Sequence, residues 1–338
     1  MFKRVLMRIL DFMFSRDMVS TPIPSVPSSI LVIRTDERLG EIILTLPLIN
    51  HLRKVYGNAE ITFLMCKKYE SLSRYIDCDE FIFFEKRDLF RNTFRFFFTL
   101  YRLIKKRYDL AVVGGKIYPP SLTSYILLGI SRAGLKAGIR QRDFNPFVNV
   151  AIGVDTASEP LSKYELAKGI TGVELPFDNR LKLEESIYEK RYDALVFIDA
   201  RKRDHLLSLD FIKSLLSELT HKSYRVVVVS GRESRERIEA VMRDFEDEVD
   251  FSISPSIDEL IRLILMSRSC ITGNTGVLHL SVSVIIPTCG IFINADPAVW
   301  GYNFKPHLMI DARRGYPELN VVENFVRCSI EGEVFGVM

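Results

Sequence analysis

From residue 29 onward, short apolar β-rich runs alternate with stretches of helical period. In the first half, Ser29–Arg34, Glu60–Cys66, Glu80–Phe84 and Asp109–Gly114 read as strands, and Glu41–Tyr56, Lys67–Tyr75, Leu89–Arg107 and Pro119–Ile130 read as helices. The strand runs are continuously apolar, as expected of parallel strands covered on both faces. The pattern falters between about 140 and 190, where Pro146, Pro160 and Pro176 mingle with Gly153, Gly169 and Gly172, and a domain junction is predicted near 175–190. A second series follows, with strands at Ala194–Asp199, Arg225–Ser230, Phe251–Ser254, Cys270–Thr272 and Thr288–Ile293. Its helices fall at Asp210–Leu219, Glu233–Asp244, Ile257–Met266, Val277–Val284 and Pro317–Cys328. This alternation predicts an α/β protein of two doubly wound domains. Such domains bind ligands at the carboxyl ends of their strands, here in a cleft that the two would face. The predicted division is an N-terminal helix and linker at 1–28, a first domain at 29–180 and a second at 181–338.

The first residues follow another pattern. In MFKRVLMRILDFMFSR, Phe2, Val5, Leu6, Ile9, Phe12 and Met13 share one helical face, while Lys3, Arg4, Arg8 and Asp11 gather opposite. Arg8 and Asp11 interrupt the apolar region, which argues against a signal peptide. Two readings stand: a helix lying on an anionic membrane surface, or one packed on the protein or a partner. Thr21–Ser29 is Pro-rich and reads as a stiff linker. The basic, aromatic run Phe90–Arg107 has the same two readings, and Phe at helical spacing favours packing on the first sheet.

Composition narrows the class. A chain of 338 residues exceeds one ordinary core, which agrees with two domains. The net charge of +3 gives no reason to expect nucleic acid as a partner. No stretch reaches the ~20 apolar residues that span a bilayer. Cys66, Cys78, Cys270, Cys289 and Cys328 are scattered and form no CxxC, and the histidines form no HExxH. That pattern suits a reducing cytoplasm and predicts neither a disulfide framework nor a metal site.

Two segments carry candidate chemistry. In RTDERLGEIILTLPLI, a strand ends near Arg34, a loop holds Asp36 and Arg38, and Gly40 precedes a helix beginning near Glu41. A dinucleotide site would need GxGxxG at this turn, and only Gly40 is present. The turn offers carboxylates instead. Glu41 at a helix N-terminus is favoured in its charged form and can accept a proton from a hydroxyl. The structural alternative is that Glu41 only complements the dipole, while Asp36 caps the helix or pairs with Arg38. In TGNTGVLHLSVSVIIPTCGIFINADPAVWG, a strand runs into Gly273, Asn274, Thr275 and Gly276 and a helix begins. Backbone N–H groups at such a turn suit a diphosphate, with Thr275 adding a hydroxyl and His279 one turn on. An N-cap and a buried histidine are the structural alternative.

Together these segments resemble glycosyltransferase family 9, the ADP-heptose:lipopolysaccharide heptosyltransferases. That family opens with R-x-D-x-x-G-D and T-x-P-L, matched by Arg34, Asp36, Gly40, Glu41, Thr45, Pro47 and Leu48. Its D-T-G-x-x-H-L, P-T and D-P-x-x-W-G segments are matched by Asn274–Leu280, Pro287–Thr288 and Asp296–Gly301. Arg132–Ile139 is similar to a late strand of its first domain. The resemblance spans nearly all of 29–328 and implies a GT-B fold, with two Rossmann-like domains. It also implies an inverting, metal-free transfer with no cofactor beyond the nucleotide diphosphate sugar. Glu41 takes the place of the family's base, Thr275, Gly276 and His279 those of its donor contacts, and Glu233 is nearest to its ribose acid. Lys202 and Arg203, with Arg201, are the approximate counterparts of its lysine. The sequence departs from the family at Glu41 for Asp, at Asn274 for Asp, and at Phe292–Ala295 for F-G-P-T.

The resulting expectation is that Glu41 deprotonates an acceptor hydroxyl, with Asp36 orienting it and Arg34 or Arg38 holding an anionic acceptor group. The donor is expected to be ADP-heptose, and the acceptor a lipopolysaccharide-core or related glycan. The protein is expected in the cytoplasm, with a peripheral contact to the inner membrane. The alternatives are a non-catalytic nucleotide-sugar-binding protein, a transferase using another nucleotide sugar, and an epimerase of nucleotide sugars.

Overall fold

The computed structural model describes residues 18–23, 25–117, 119–141, 147–184, 188–231 and 235–332. The amphipathic segment 1–16 and the candidate ribose acid Glu233 therefore lie outside the described residues. The chain divides into two compact units, Met1–Lys182 and Leu183–Met338.

The first unit is built on β1 (Ser29–Arg34), β2 (Glu60–Cys66), β3 (Glu80–Phe84), β4 (Arg107–Val113), β5 (Arg132–Ile139) and β6 (Val150–Ile152). They form one parallel sheet in the order β3-β2-β1-β4-β5-β6. Ile30 to Ile33 of the central β1 are wholly buried, which accounts for its unbroken apolar run. The helix predicted over Glu41–Tyr56 is two helices, α1 (Leu39–Ile43) and α2 (Leu46–Val55). Pro47 causes the break, because it has no N–H for the carbonyl four residues back and is tolerated only in a first turn. The stretch Lys67–Tyr75 is two short 3₁₀ turns joined by a kink at Tyr69, φ −114° and ψ 29°. The helix predicted over Leu89–Arg107 is a one-turn α3 (Asp88–Arg91) and then α4 (Thr93–Lys105). α5 (Leu122–Ile130) follows β4.

The faltering region hides two elements, β6 and α6 (Glu159–Thr171). Two of the residues read there as breakers, Pro160 and Gly172, are helix signals. Ser158 caps α6, Pro160 stands in its first turn and Gly172 ends it in the left-handed conformation, φ 70°.

The second unit holds β7 (Ala194–Phe197), β8 (Val226–Ser230), β9 (Asp250–Ile253), β10 (Cys270–Gly273), β11 (Thr288–Phe292) and β12 (Leu308–Asp311). They form a second parallel sheet in the order β12-β11-β10-β7-β8-β9. Its helices are α7 (Leu209–His221), α8 (Arg235–Phe245), α9 (Ile257–Leu265), α10 (Gly276–Ser283), a one-turn α11 (Pro297–Trp300) and α12 (Leu319–Glu331). Val196, Ile212, Leu215, Val228, Ile271, Ile291 and Phe325 are central to its core. β12 was not predicted, since its apolar run is only Leu308–Ile310.

In both sheets the fourth strand pairs with the first on the side away from the second: β4 beside β1, and β10 beside β7. The chain reverses direction across the sheet there, so the loops after those strands part and leave room for a ligand.

Candidate active-site residues

In the first unit, the end of β1 and the loops after β1 and β4 bring five charged residues together at the switch point. Arg34, the last residue of β1, has no solvent exposure. Its guanidinium donates to Glu41 and to the Gly114 carbonyl just past β4, and its Nε lies 2.9 Å from Asp36. Lys116 Nζ stands 2.6 Å from Glu41 Oε1, with Arg38 at 4.0 Å from the same oxygen. Burial alone would raise the Glu41 pKa. Arg34 and then Lys116 outweigh it and hold Glu41 below the ordinary carboxylate range. Glu41 is thus ionised at neutral pH, and its side chain is 5% exposed against 28% for Asp36. Gly114 lets the loop after β4 press against the α1–α2 junction, because a Cβ there would lie 2.8 Å from Thr45 Cγ2.

The predicted residues fall into different situations. Asp36 does not cap α1, whose N-cap position is Arg38 with no side-chain bond. It pairs with Arg34. Arg34 is enclosed and engaged with three groups, so its geometry supports holding Asp36 and Glu41 rather than meeting an acceptor. Arg38 is half exposed and can reach a ligand.

Sequence reasoning missed Lys116, Glu159 and Lys163. Lys163 on α6 is wholly buried, with Nζ 2.8 Å from Glu159 Oε2 and 2.8 Å from Ser162 Oγ. Burial pulls its ammonium down to about 8, against the opposing charge of Glu159. Glu159 also accepts from the Ile117 N–H at 3.2 Å, which ties α6 to the loop carrying Lys116. The signal that could have found Lys116 is its place, three residues past the strand that pairs with β1.

In the second unit, the loops after β7, β10 and β11 converge. Thr275 is the N-cap of α10, its Oγ1 accepting from the Val277 N–H at 3.2 Å and lying 3.0 Å from Thr272 Oγ1. Gly276 begins the helix, so cap and anion-binding turn are one feature, and the two readings of Thr275 are compatible. The Arg203–His205 turn lies beside it, since a Cβ on Gly273 would come within 3.1 Å of the His205 carbonyl. Lys202 and Arg203 are exposed in that loop. Asn294, in the departing Phe292–Ala295 segment, donates to Asp204 at 2.7 Å and joins the third loop to the first. His279 is buried, its Nδ1 3.1 Å from the Tyr302 hydroxyl. It anchors α10 to the turn following Trp300. Asp296 caps the preceding one-turn α11 by accepting from the Ala298 N–H at 2.9 Å, with Pro297 in its first turn. Among the described residues, no group of His, Cys, Asp and Glu is placed to hold a metal ion. Among them too, no helix is long and apolar enough to cross a membrane.

Residues 180–319 match the family model described as glycosyltransferase family 9 (heptosyltransferase). Among curated proteins, none matches in sequence. Among solved structures, the chain is similar to Escherichia coli heptosyltransferase WaaC with ADP, at TM-score 0.74 and 15% identity, over 89% of this chain and 99% of that one. It is similar to E. coli ADP-heptose lps heptosyltransferase II, at TM-score 0.73 and 16% identity, over 90% of this chain and 99% of that one. A family 9 glycosyl transferase from Veillonella parvula follows at TM-score 0.71 and 17% identity, over 91% of this chain and 92% of that one. These likenesses are of fold, and the fold is GT-B.

Proposed function

We propose that the chain, a glycosyltransferase whose second unit matches the family 9 domain, transfers heptose from ADP-heptose to a lipopolysaccharide-core or related glycan acceptor, with inversion. The observation that carries this reading is the family match over 180–319, which includes both the Asn274–Leu280 turn and the Asp296–Gly301 turn. The WaaC structures bound to ADP and to ADP-2-deoxy-2-fluoro heptose support the choice of nucleotide and sugar.

In this mechanism the acceptor hydroxyl oxygen bonds to the anomeric carbon as the bond from that carbon to the diphosphate breaks. A single displacement inverts the centre. The hydroxyl proton passes to Glu41, which is ionised at neutral pH. Its lowered pKa makes Glu41 a weak base, so proton transfer accompanies attack rather than preceding it. Lys116 and Arg38 line the same oxygen and can orient an anionic acceptor. The diphosphate gains negative charge, which the Thr275 hydroxyl, the N–H groups opening α10 and the cations Lys202 and Arg203 stabilise. Asn274 offers this turn a neutral amide in place of a carboxylate, and His279 holds the turn through Tyr302. In this proposal these groups supply the positive charge without a metal ion. All five cysteines are free thiols, which fits a reducing cytoplasm.

The test is a thermal-shift screen against nucleotide diphosphate sugars, followed by transfer assays with ADP-heptose and core acceptors. Stabilisation by ADP-linked sugars with turnover supports the proposal, because a ligand of the native state raises its apparent stability. Stabilisation only by sugars on another nucleotide would replace the donor, and binding without turnover would leave a sugar-nucleotide-binding protein.

A further inference from the structure

Helix α4 is apolar on two sides, and only one side meets its own sheet. Leu103 and Thr99 are buried, and Phe96 and Leu100 pack against the first core. The other side carries Phe94, Phe97, Phe98, Tyr101 and Ile104, which are 82%, 59%, 52%, 52% and 40% exposed. Phe90 on α3 extends the patch at 87% exposure. The expectation that these phenylalanines are core is thus corrected for the outer face. Helical period announces an apolar face, and here there are two. The Phe94 and Phe98 rings stack in solvent with centroids 6.5 Å apart, and Lys105 Nζ lies 5.9 Å from the Tyr101 ring.

Charge along the segment that carries this face is mostly of one sign. Lys86–Arg107 holds eight basic residues and one acidic residue, Asp88, and Asp88 is buried. Arg102 and Lys106 are engaged with Glu80. Lys86, Arg87, Arg91, Arg95 and Lys105 are exposed along the same segment.

We infer that the outer face of α3 and α4 docks on the surface of an anionic lipid bilayer. A bilayer offers an apolar phase for the rings and, at the same depth as the helix flanks, a layer of negative headgroups for the cations. Aromatic side chains are at home at that boundary. A second copy of the chain is a poorer occupant. A two-fold contact sets the same patch against itself and brings the cations face to face.

The test uses the full chain and vesicles of phosphatidylcholine, with and without about one quarter phosphatidylglycerol. Co-sedimentation should occur with the anionic vesicles and weaken as salt rises. In Phe94→Ser/Phe98→Ser/Tyr101→Ser, partition onto those vesicles should fall by about 100-fold, with thermal unfolding unchanged because the three rings are exposed. Equal binding of the variant, binding that ignores phosphatidylglycerol, or no binding of the parent chain overturns the proposal. A parent dimer in the absence of lipid, lost in the variant, overturns it in favour of a second copy. An independent reading comes from Phe98→Trp, since Trp300 is the single tryptophan. Lipids brominated along the acyl chain should quench the new emission and spare that of the parent. Equal quenching of the two proteins, or blue-shifted emission from the introduced indole before vesicles are added, refutes docking of this face.

Discussion

After Arg34, Lys116 is the cation that most loosens the hold of Glu41 on a proton, and removing it separates a catalytic Glu41 from a structural one. Its Nζ lies 2.6 Å from Glu41 Oε1. Two unit charges about 4 Å apart interact by about 4 kcal/mol at an effective dielectric constant of about 20. The Lys116 side chain is 21% exposed, and solvent screening trims that figure. In Lys116→Met the Glu41 pKa is therefore expected to rise, because a neighbouring cation that favours its charged form is gone. Arg34 still pairs with Glu41 in the variant, so the carboxylate keeps a partner. A general base works unprotonated, so activity climbs through its pKa as pH rises. The acidic limb of kcat/KM against pH should move to higher pH, while the alkaline limb stays. The assay is initial-rate release of ADP from ADP-heptose in the presence of acceptor, with circular dichroism as the check on folding. Glu41→Gln, run beside it, should lose about 10²–10⁴ in rate. An acidic limb that does not move in folded Lys116→Met, or near-parental turnover of Glu41→Gln, would refute the reasoning. Glu41 would then be a clamp for Arg34, and the more exposed Asp36 the remaining carboxylate.

Other outcomes follow from the same geometry. Thr275→Ala removes the cap of α10 and should cost about 1 kcal/mol in urea unfolding, together with a smaller thermal shift by ADP-linked sugars. Gly114→Ala sets a Cβ 2.8 Å from Thr45 Cγ2. Overpacking there should destabilise by about 1–3 kcal/mol in the same assay, with lower turnover because the loop carries Lys116. The buried Lys163, held at about 8 in the folded state, gives a pH dependence of known sign. Below that value both states bind its proton and the buried charge weighs against folding. Between it and the ordinary lysine value of about 10.4, the unfolded chain binds more protons, so stability rises with pH. The rise should shrink in Glu159→Gln/Lys163→Met when urea midpoints are compared across that window.

The parts visible from sequence were those with local causes. β1, β2 and β3 occupy the predicted residues, because a strand covered on both faces needs an unbroken apolar run. The loops after β1 and β10 were also visible, since Asp36, Glu41 and Thr275 stand at strand-to-helix turns. What sits opposite them was not. Lys116 reaches Glu41 only because β4 lies beside β1, and strand order is absent from local pattern. α6 was missed because Pro160 and Gly172 were read as breakers when they are its ends. The outer face of α4 was misjudged because periodicity cannot say which of two apolar faces finds a sheet.

The pairing of β1 with β4 also fixes an order of events as the chain is made. β1 can register with β2 early, Ile30 against Ile61, but the carbonyl that receives Arg34 belongs to a residue 80 positions later. At about 5–20 residues per second, that partner trails by roughly 4–16 s during synthesis. Until it arrives, Arg34 and Glu41 have no enclosure, and the strand that will become central is an open edge. Contacts of such long range slow folding. The charged cluster therefore cannot close before β4 and Lys116 are made, and any arrest before β4 leaves a paired β1–β2 without a site.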